Sequence, residues 1–468
     1  TERQTDTEEE GMSCVGTVFG VLLVALLAFS HASTVAEAAF CHGKPEGGVQ
    51  NVNPIWTGNP RFLRKVTNGT LYEIGDGQDT IKLAHVFGDY YSMGYAYGSL
   101  LKDEMKEFFP KVWKHFEEQI TSVIPSWIPS WLAEIIANEG LDVGLDAVWL
   151  ASREFTPAYV DIEQQAIADA TGEDVKMIRR IHLIGEITKG RCSMFGAWGG
   201  ATPDGGLLQL RALDWDTDGP LQDYPAVVVY HPDEGYGQPF ANVGWAGWMG
   251  VLTGASSQQM GVSEIGVSYP DDTFGNETFF GIPFVYMLRD ILQFDQTLDS
   301  AISDMADEQR TCWLILGVGD AKLGYFRGFQ YSHTVLNVYD PLNARPVADW
   351  HPKVADDVYY QGMDWLCPSF NEKLAAELKS FYGNITAANA IKDIIALTMT
   401  GDLHVAVYDL THQHMYVANA RGDGETGPAK AYDRQYVHID LGKAWQEPRP
   451  TSSTPSSPSL TLNSSPTK

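Results

Sequence analysis

Apolar residues return every three or four positions through much of the first half of the chain, and every second position through much of the rest. Over residues 91–107 and 107–120 the apolar positions fall on one face at helical spacing, which predicts two helices. Residues 122–137 place Trp127 and Trp131 between prolines. Two readings are open there, buried helix ends or a lipid-facing surface for peripheral membrane contact. Two further helices are predicted over 161–170 and 174–189, separated by a stop and fresh start at Ala170-Thr-Gly-Glu. At Arg191 the texture changes. Glycines, aromatics and short alternating runs predict strands over 192–198, 207–213, 226–230, 249–253 and 260–265. Helices follow over 282–293 and 297–307, then strands over 312–318, 323–329 and 334–339. A second helical pair, 372–381 and 387–397, precedes strands over 404–408 and 415–418. Strands, helices and strands in that order predict an α+β fold with stacked antiparallel sheets between helical layers. No fixed-period repeat is present.

Composition narrows the function classes. The 468 residues are 44% apolar and carry a formal charge of −28, so the chain can bury a large core and is not a disordered one. The acid excess argues against nucleic acid as a partner, because a polyanion is repelled over most of the surface. Five cysteines are too few for a disulfide-built scaffold.

The ends differ from the body. Residues 1–11 are polar and acidic, and Met12 follows. An uncharged apolar run over 15–29 leads to Ala36-Glu37-Ala38, the pattern of a signal peptide cut before Ala39. No Lys or Arg lies between Met12 and the run, so Met12 reads as the true start with residues 1–11 as upstream translated sequence; an uncleaved anchor is the alternative. Without residues 1–38 the balance is 54 acidic against 31 basic side chains, so the acidity belongs to the body. Asn68, Asn276, Asn384 and Asn463 each begin an N-x-S/T sequon, which behind a leader predicts a glycoprotein. The last residues, 446–468, form a tail rich in Ser, Thr and Pro with little to bury.

The chemistry concentrates after Arg191. Cys192 opens one strand, a turn is predicted around Pro203-Asp204-Gly205-Gly206, and the return strand carries Arg211-Ala-Leu-Asp214-Trp215. A guanidinium brought back to a thiol favours the thiolate. Arg211 and Asp214 are three apart, so a regular strand puts them on opposite faces, and a bulge or the strand end is expected to turn one of them. Taken alone, Cys192 reads as a buried structural thiol and the Arg–Asp pair as an ordinary ion pair.

Cys192-Ser193 opening a hairpin that returns with R-x-L-D-W resembles the N-terminal-nucleophile (Ntn) cysteine hydrolases of the acid ceramidase, penicillin acyltransferase and bile-salt hydrolase group. Upstream, Tyr90-Tyr-Ser-Met-Gly-Tyr-Ala-Tyr-Gly-Ser-Leu-Leu and Ile167-Ala-Asp-Ala-Thr-Gly172 resemble the helical pro-segment of the penicillin-acyltransferase-like branch. Gly250-Val-Leu-Thr-Gly254, Gly281-Ile-Pro283, Leu288-Arg-Asp-Ile-Leu292 and Thr400-Gly-Asp-Leu-His404 continue the likeness. The resemblance implies a four-layer αββα core preceded by a helical pro-segment. The implied divisions are a leader at 1–38, a helical segment at 39–191, a catalytic chain at 192–445 and the tail. It further implies a precursor that cuts itself between Arg191 and Cys192, the two chains remaining associated. The freed α-amino group, with an ordinary pKa of about 7.7–8, then serves its own thiol as base.

On this resemblance Arg211 and Asp214 orient the nucleophile and substrate. The oxyanion donor in the group is an asparagine, for which Asn371 is preferred here over Asn242. The implied reaction is hydrolysis of a linear, non-peptide amide in a small N-acyl compound, such as a lipid amide, through a thioester. Acyl transfer to another acceptor is the alternative, as is a silent glycoprotein that keeps the fold. No metal or organic cofactor is implied. The compartment would be secretory, lysosome-like or extracellular, and a sequence pI of 4.7 suits acid operation. With Cys192 kept free, a Cys41–Cys367 disulfide would tether the two cut chains, and Cys312 reads as a buried thiol; other pairings stay open.

Decoys fall away on spacing. Asp214-Trp-Asp216-Thr-Asp218-Gly219 starts like a calcium loop, but Pro225 stands where the bidentate glutamate belongs. His412 and His414 lack a third nearby ligand, and Arg421-Gly422-Asp423 is too short a motif to carry an assignment.

Overall fold

The computed structural model describes residues 45–122, 124, 128–268, 270–340, 342–343, 351–362 and 368–450. Three strands come first: β1 (Arg61–Val66), β2 (Gly69–Ile74) and β3 (Ile81–Gly88). The sequence pattern did not anticipate them, because β1 is a largely exposed edge strand and β3 is buried along nearly all its length. Neither gives the half-buried alternation that marks a strand in sequence. Six helices follow: Tyr90–Leu100, Lys102–Ser122, Ser130–Glu139, Leu141–Ser152, Ala158–Thr171 and Val175–Ile187. The predicted stop near residue 170 is a left-handed Gly172 cap, and Asp174 restarts the next helix by accepting from Lys176 N.

From Arg191 the chain supplies β4 (Arg191–Gly199), β5 (Gly205–Asp214), β6 (Pro225–Pro232), β7 (Phe240–Trp245), β8 (Thr253–Ser256) and β9 (Met260–Gly266). Helices Phe284–Phe294 and Leu298–Asp307 come next. They lead to β10 (Leu314–Asp320), β11 (Tyr325–Tyr331), β12 (Leu336–Tyr339) and β13 (Val358–Gly362). Helix Pro368–Ser380 and a helical run over 387–398 precede β14 (His404–Asp409), β15 (His414–Asn419) and β16 (Val437–Asp440). The strand predicted over 249–253 ends where β8 begins; β7, β13 and β16 were not anticipated.

The strands form two sheets. One has ten strands in the order β1-β2-β3-β6-β7-β8-β9-β10-β11-β12, the other six in the order β13-β4-β5-β14-β15-β16. Among the described strands, all pairings are antiparallel except β3 with β6, which run parallel. Segments before and after Arg191 therefore share one sheet. β4 and β5 face β9, β10 and β11 across the interface. Helices Tyr90–Leu100 and Phe284–Phe294 cover the far side of the larger sheet, and helix Pro368–Ser380 covers the smaller one. The fold is α+β with the four-layer αββα order. Gly196 and Gly317 admit the Phe326 ring between the sheets; a Cβ at either would lie within 2.4 Å of it. Among the described residues, no helix is long and apolar enough to cross a membrane.

Candidate active site

Alternation sorts the β4–β5 hairpin into two buried faces. Cys192, Met194, Leu207 and Leu213 pack between the sheets. Phe195, Ala197, Leu208, Leu210 and Ala212 pack under the outer helices. With both faces buried, apolar side chains fill both parities. The register is unbroken from Arg191↔Asp214 through Cys192↔Leu213 to Ala197↔Leu208, and the one irregularity lies at the turn end, between Ala197 and Gly199. The expected bulge beside Arg211 or Asp214 is absent. The two residues stay on opposite faces.

On the inner face the Cys192 thiol is fully buried. Arg211 Nη2 donates to its Sγ at 3.2 Å and to Glu264 Oε2 at 3.0 Å. Nη1 donates to Thr253 Oγ1 at 2.9 Å and His404 Nε2 at 3.0 Å, and Nε to the Glu264 carbonyl at 3.2 Å. A guanidinium keeps its charge in a protein, so burying it without an anion would be costly. Glu264 supplies that anion, although burial raises its carboxyl against the pull of Arg211. His404 Nε2 faces the guanidinium and accepts, which leaves the proton on Nδ1. Burial, then Arg211, lower this imidazole well below its ordinary range. Burial pushes the Cys192 thiol up; Arg211 opposes this, while Glu264 and Asp214 add to it. Both burial and the neighbouring carboxylates favour the protonated thiol, which is closed off from solvent.

On the outer face Asp214 accepts from Thr400 Oγ1 at 2.6 Å, Gly401 N at 2.7 Å and Asp402 N at 3.1 Å. Thr400 spends its one proton on Asp214, so Ser193 Oγ, at 2.6 Å, donates to Thr400. Burial, reinforced by Asp402, pushes the Asp214 carboxyl up to about 7 against these three bonds.

The asparagines lie elsewhere. Asn371 Nδ2 donates to Gly362 O at 2.8 Å, and its Oδ1 accepts from Gly362 N at 3.0 Å. Gly362 pairs with Ser193, so this clamp ties β13 to helix Pro368–Ser380 on the outer face. The preferred oxyanion residue is thus away from the thiol. Asn242 donates to the carbonyls of Trp248 and Gly250. It pairs with Gly254, whose neighbour Thr253 faces Arg211, so alternation turns Asn242 outward too.

Glu264, Thr253, His404 and Thr400 were not singled out from sequence. They lie 42–207 positions from the residues they touch, and local spacing cannot join such distances. Their available signal was position: Thr400 and His404 bound the Thr-Gly-Asp-Leu-His block, and Glu264 lies in a predicted strand.

Other expectations fall where the chain permits. Cys41, Cys367, Trp127, Asn463, the leader at 1–38 and the tail beyond 450 lie outside the described residues. Cys312 is a buried free thiol. Trp131 is 42% exposed, edge-on to Phe279, so burial does not describe it. Asn276 and Asn384 are exposed, and Asn68 sits half-buried in the β1–β2 turn, where its Oδ1 accepts from Arg449. His412 is engaged by Asp409 and Asp204, and His414 by His438.

No family model matches the sequence. Two proteins of Dictyostelium discoideum do. Protein dcd1B is 35% identical over 415 residues, 85% of this chain and 81% of its own. Protein dcd1A is 32% identical over 421 residues, 86% of this chain and 94% of its own. Among solved structures, the Caenorhabditis elegans N-acylethanolamine-hydrolyzing acid amidase ortholog aligns with TM-score 0.36 and 15% identity, over 47% of this chain and 93% of that one. A penicillin V acylase from Agrobacterium tumefaciens aligns with TM-score 0.36 and 11% identity, over 54% and 87%.

Proposed function

The chain belongs to the family of the Dictyostelium dcd1 proteins, and we propose that it is an amide hydrolase that cuts itself before Cys192 and then uses that residue as nucleophile. The observation that carries this reading is the contact of Arg211 Nη2 with Cys192 Sγ, one residue inside the first strand of the catalytic hairpin.

The self-cut begins with attack of Sγ on the Arg191 carbonyl carbon. The C–N bond breaks, the Cys192 nitrogen takes up a proton, and a thioester joins the Arg191 acyl group to Sγ. Water hydrolyses the thioester to an Arg191 carboxylate and a free thiol. The new α-amine is the base that the thiol lacked, and a thiolate forms beside a permanent cation. In turnover the thiolate attacks a substrate amide, the amine leaves with a proton, and water releases the acid. Asp214, in register with Arg191, orients the new terminus from the opposite face. The substrate is a small linear N-acyl compound, a lipid amide by the resemblance of the hairpin. The exposed sequons support passage through the secretory pathway, and acid operation fits the high Asp214 pKa.

N-terminal sequencing and intact mass of the purified protein test this. The expected result is two chains, the second beginning at Cys192, and one uncut chain for Cys192→Ala. An intact single chain that hydrolyses amides would overturn it.

A further inference from the structure

Three residues before the thiol lies a buried charge cluster that the chemistry above does not use. Helix Val175–Ile187 ends at Thr188, whose N–H and hydroxyl both donate to Ile184 O. Only Lys189 and Gly190 then separate the helix from β4. The Lys189 side chain is 1% exposed, and its Nζ lies 3.5 Å from Glu277 Oε2. Glu186, on the last turn of the helix, and Cys312 share this interior. Glu186 Oε1 accepts from Phe284 N at 2.9 Å, at the start of the covering helix. Among the described residues, Lys189 Nζ, Glu186 Oε2 and Glu277 Oε2 have no hydrogen-bond partner. Lys189 and Glu277 meet as an ion pair, while burial pushes the nearby Glu186 carboxyl up to about 7 against the pull of Lys189.

The backbone beside this cluster is held just as closely. A Cβ on Gly190 would lie 2.8 Å from the Trp215 ring, and one on Gly266 would lie 3.0 Å from Gly190 N. Gly266 ends β9, the strand whose Glu264 holds Arg211 against the thiol. The lead-in to the junction and the cation at the thiol are thus braced by one strand.

A buried lysine costs more than a methionine of similar stem unless its charge is matched, and such matched charges are best attested as setters of register. We propose that Lys189 is a positioning residue for the self-cut. Its ammonium, paired with Glu277 in the interior that Glu186 shares, fixes where the Arg191–Cys192 peptide lies relative to Sγ. Intramolecular attack needs the reacting atoms aligned within about 3–3.5 Å, and a misplacement of about 1 Å can slow a reaction about a hundredfold. The inference rests on the reading of Cys192 as the self-cutting nucleophile. Burial alone would lower the Lys189 ammonium, yet Cys312, Glu277 and Glu186 hold it above its ordinary value.

The test follows release of the fragment beginning at Cys192 in the full chain. It compares the parent, Lys189→Met, Lys189→Met with Glu277→Gln, and Lys189→Arg. Thermal midpoints are read for the same substitutions in an uncut Cys192→Ala background. The double variant removes both charges, so its midpoint should return toward the parent's while cutting stays slower by about a hundredfold. Lys189→Arg keeps the cation on a different stem and should cut at an intermediate rate. A double variant that cuts at the parental rate overturns the proposal, as does cutting that recovers in step with the midpoint. Should the double variant not fold, Lys189→Arg decides. Slower cutting at the parental midpoint supports the proposal, and unchanged cutting overturns it. A parent that never cuts removes the reading of the site itself, whereas a cutting parent with fast-cutting variants removes only the role of Lys189.

Discussion

Two arginines in this protein are wholly buried against a glutamate, and their surroundings could hardly differ more. Arg289 Nη2 meets Glu163 Oε2 at 2.6 Å with both side chains at 0% exposure. Its remaining contacts are Gln293, the Met249 carbonyl, and the rings of Tyr159, Tyr230 and Phe240. Arg211 meets Glu264 at 3.0 Å, but the same guanidinium also touches a thiol, a threonine hydroxyl and a neutral histidine. Burial of an Arg–Glu pair therefore does not mark a reaction site. The first pair joins helix Ala158–Thr171 to helix Phe284–Phe294 across the proposed cut, and its ring cage exploits cation–π attraction. The second leaves one edge of the cation for the Cys192 thiol.

The largest expected effect separates the two. Arg211→Met should lower amide turnover about a thousandfold per folded molecule, the upper range for losing one preorganised donor. Arg289→Met should leave turnover per folded molecule near the parent's and reduce stability by about 3–5 kcal/mol, because Glu163 is left buried and unpaired. Denaturant titration beside active-site-normalised rates checks both; loss of turnover in a fully folded Arg289→Met protein would erase the distinction.

Next comes the anion of the active pair. The Glu264 charge raises the Cys192 thiol, so in the cut protein Glu264→Gln should move the pH midpoint of Cys192 alkylation downward. An upward shift would mean that Glu264 serves the thiolate by holding Arg211 in place rather than by competing for it.

Asp214 gives a stability signal with a defined sign. Its folded pKa of about 7 lies above its ordinary 3.8, so the folded chain binds the extra proton between those values. The stability from this group is full below about pH 4, is lost as pH rises toward 7 and is constant beyond. Asp214→Asn should remove a fall of about 1 kcal/mol per pH unit from the stability profile between pH 4.5 and 6.5. A variant profile parallel to the parent's would contradict the shift.

Thr400→Val takes one hydrogen bond from Asp214 and one partner from Ser193. It should cost about 1–3 kcal/mol and raise the Asp214 pKa further, read by carboxyl titration in NMR. The smallest effect on chemistry is expected at Asn371. Asn371→Ala should cost about 1–3 kcal/mol through the unpaired Gly362 peptide while turnover per folded molecule holds. A large fall in turnover at unchanged stability would return Asn371 to the thiol's side in the cut enzyme.

Much of the site was legible where the signal was local. Cys192, Arg211 and Asp214 sit on one hairpin, and the strand parity that separates Arg211 from Asp214 could be counted in the sequence. Spacing leads one to expect a bulge or the strand end to turn one of them, whereas the protein uses both faces: the guanidinium inside, the carboxylate outside with Thr400. Asn371 illustrates the limit. Its residue type suits an oxyanion donor, but the Gly362 peptide satisfies its carbonyl and one amide hydrogen. The β1–β3 segment was missed because an exposed edge and a doubly buried strand lack the half-buried alternation that identifies strands.

By itself the sequence determined the helix-to-sheet switch at Arg191, the hairpin, the α+β class and the thiol–guanidinium pair, since each depends on neighbours within about two dozen residues. Tertiary structure alone decided which carboxylate neutralises Arg211, which histidine stays neutral beside it, and why Lys189 is buried. Those partners arrive from strands and loops far along the chain. Sheet order and burial, rather than spacing, set their distances, and a buried charge takes its meaning from what surrounds it.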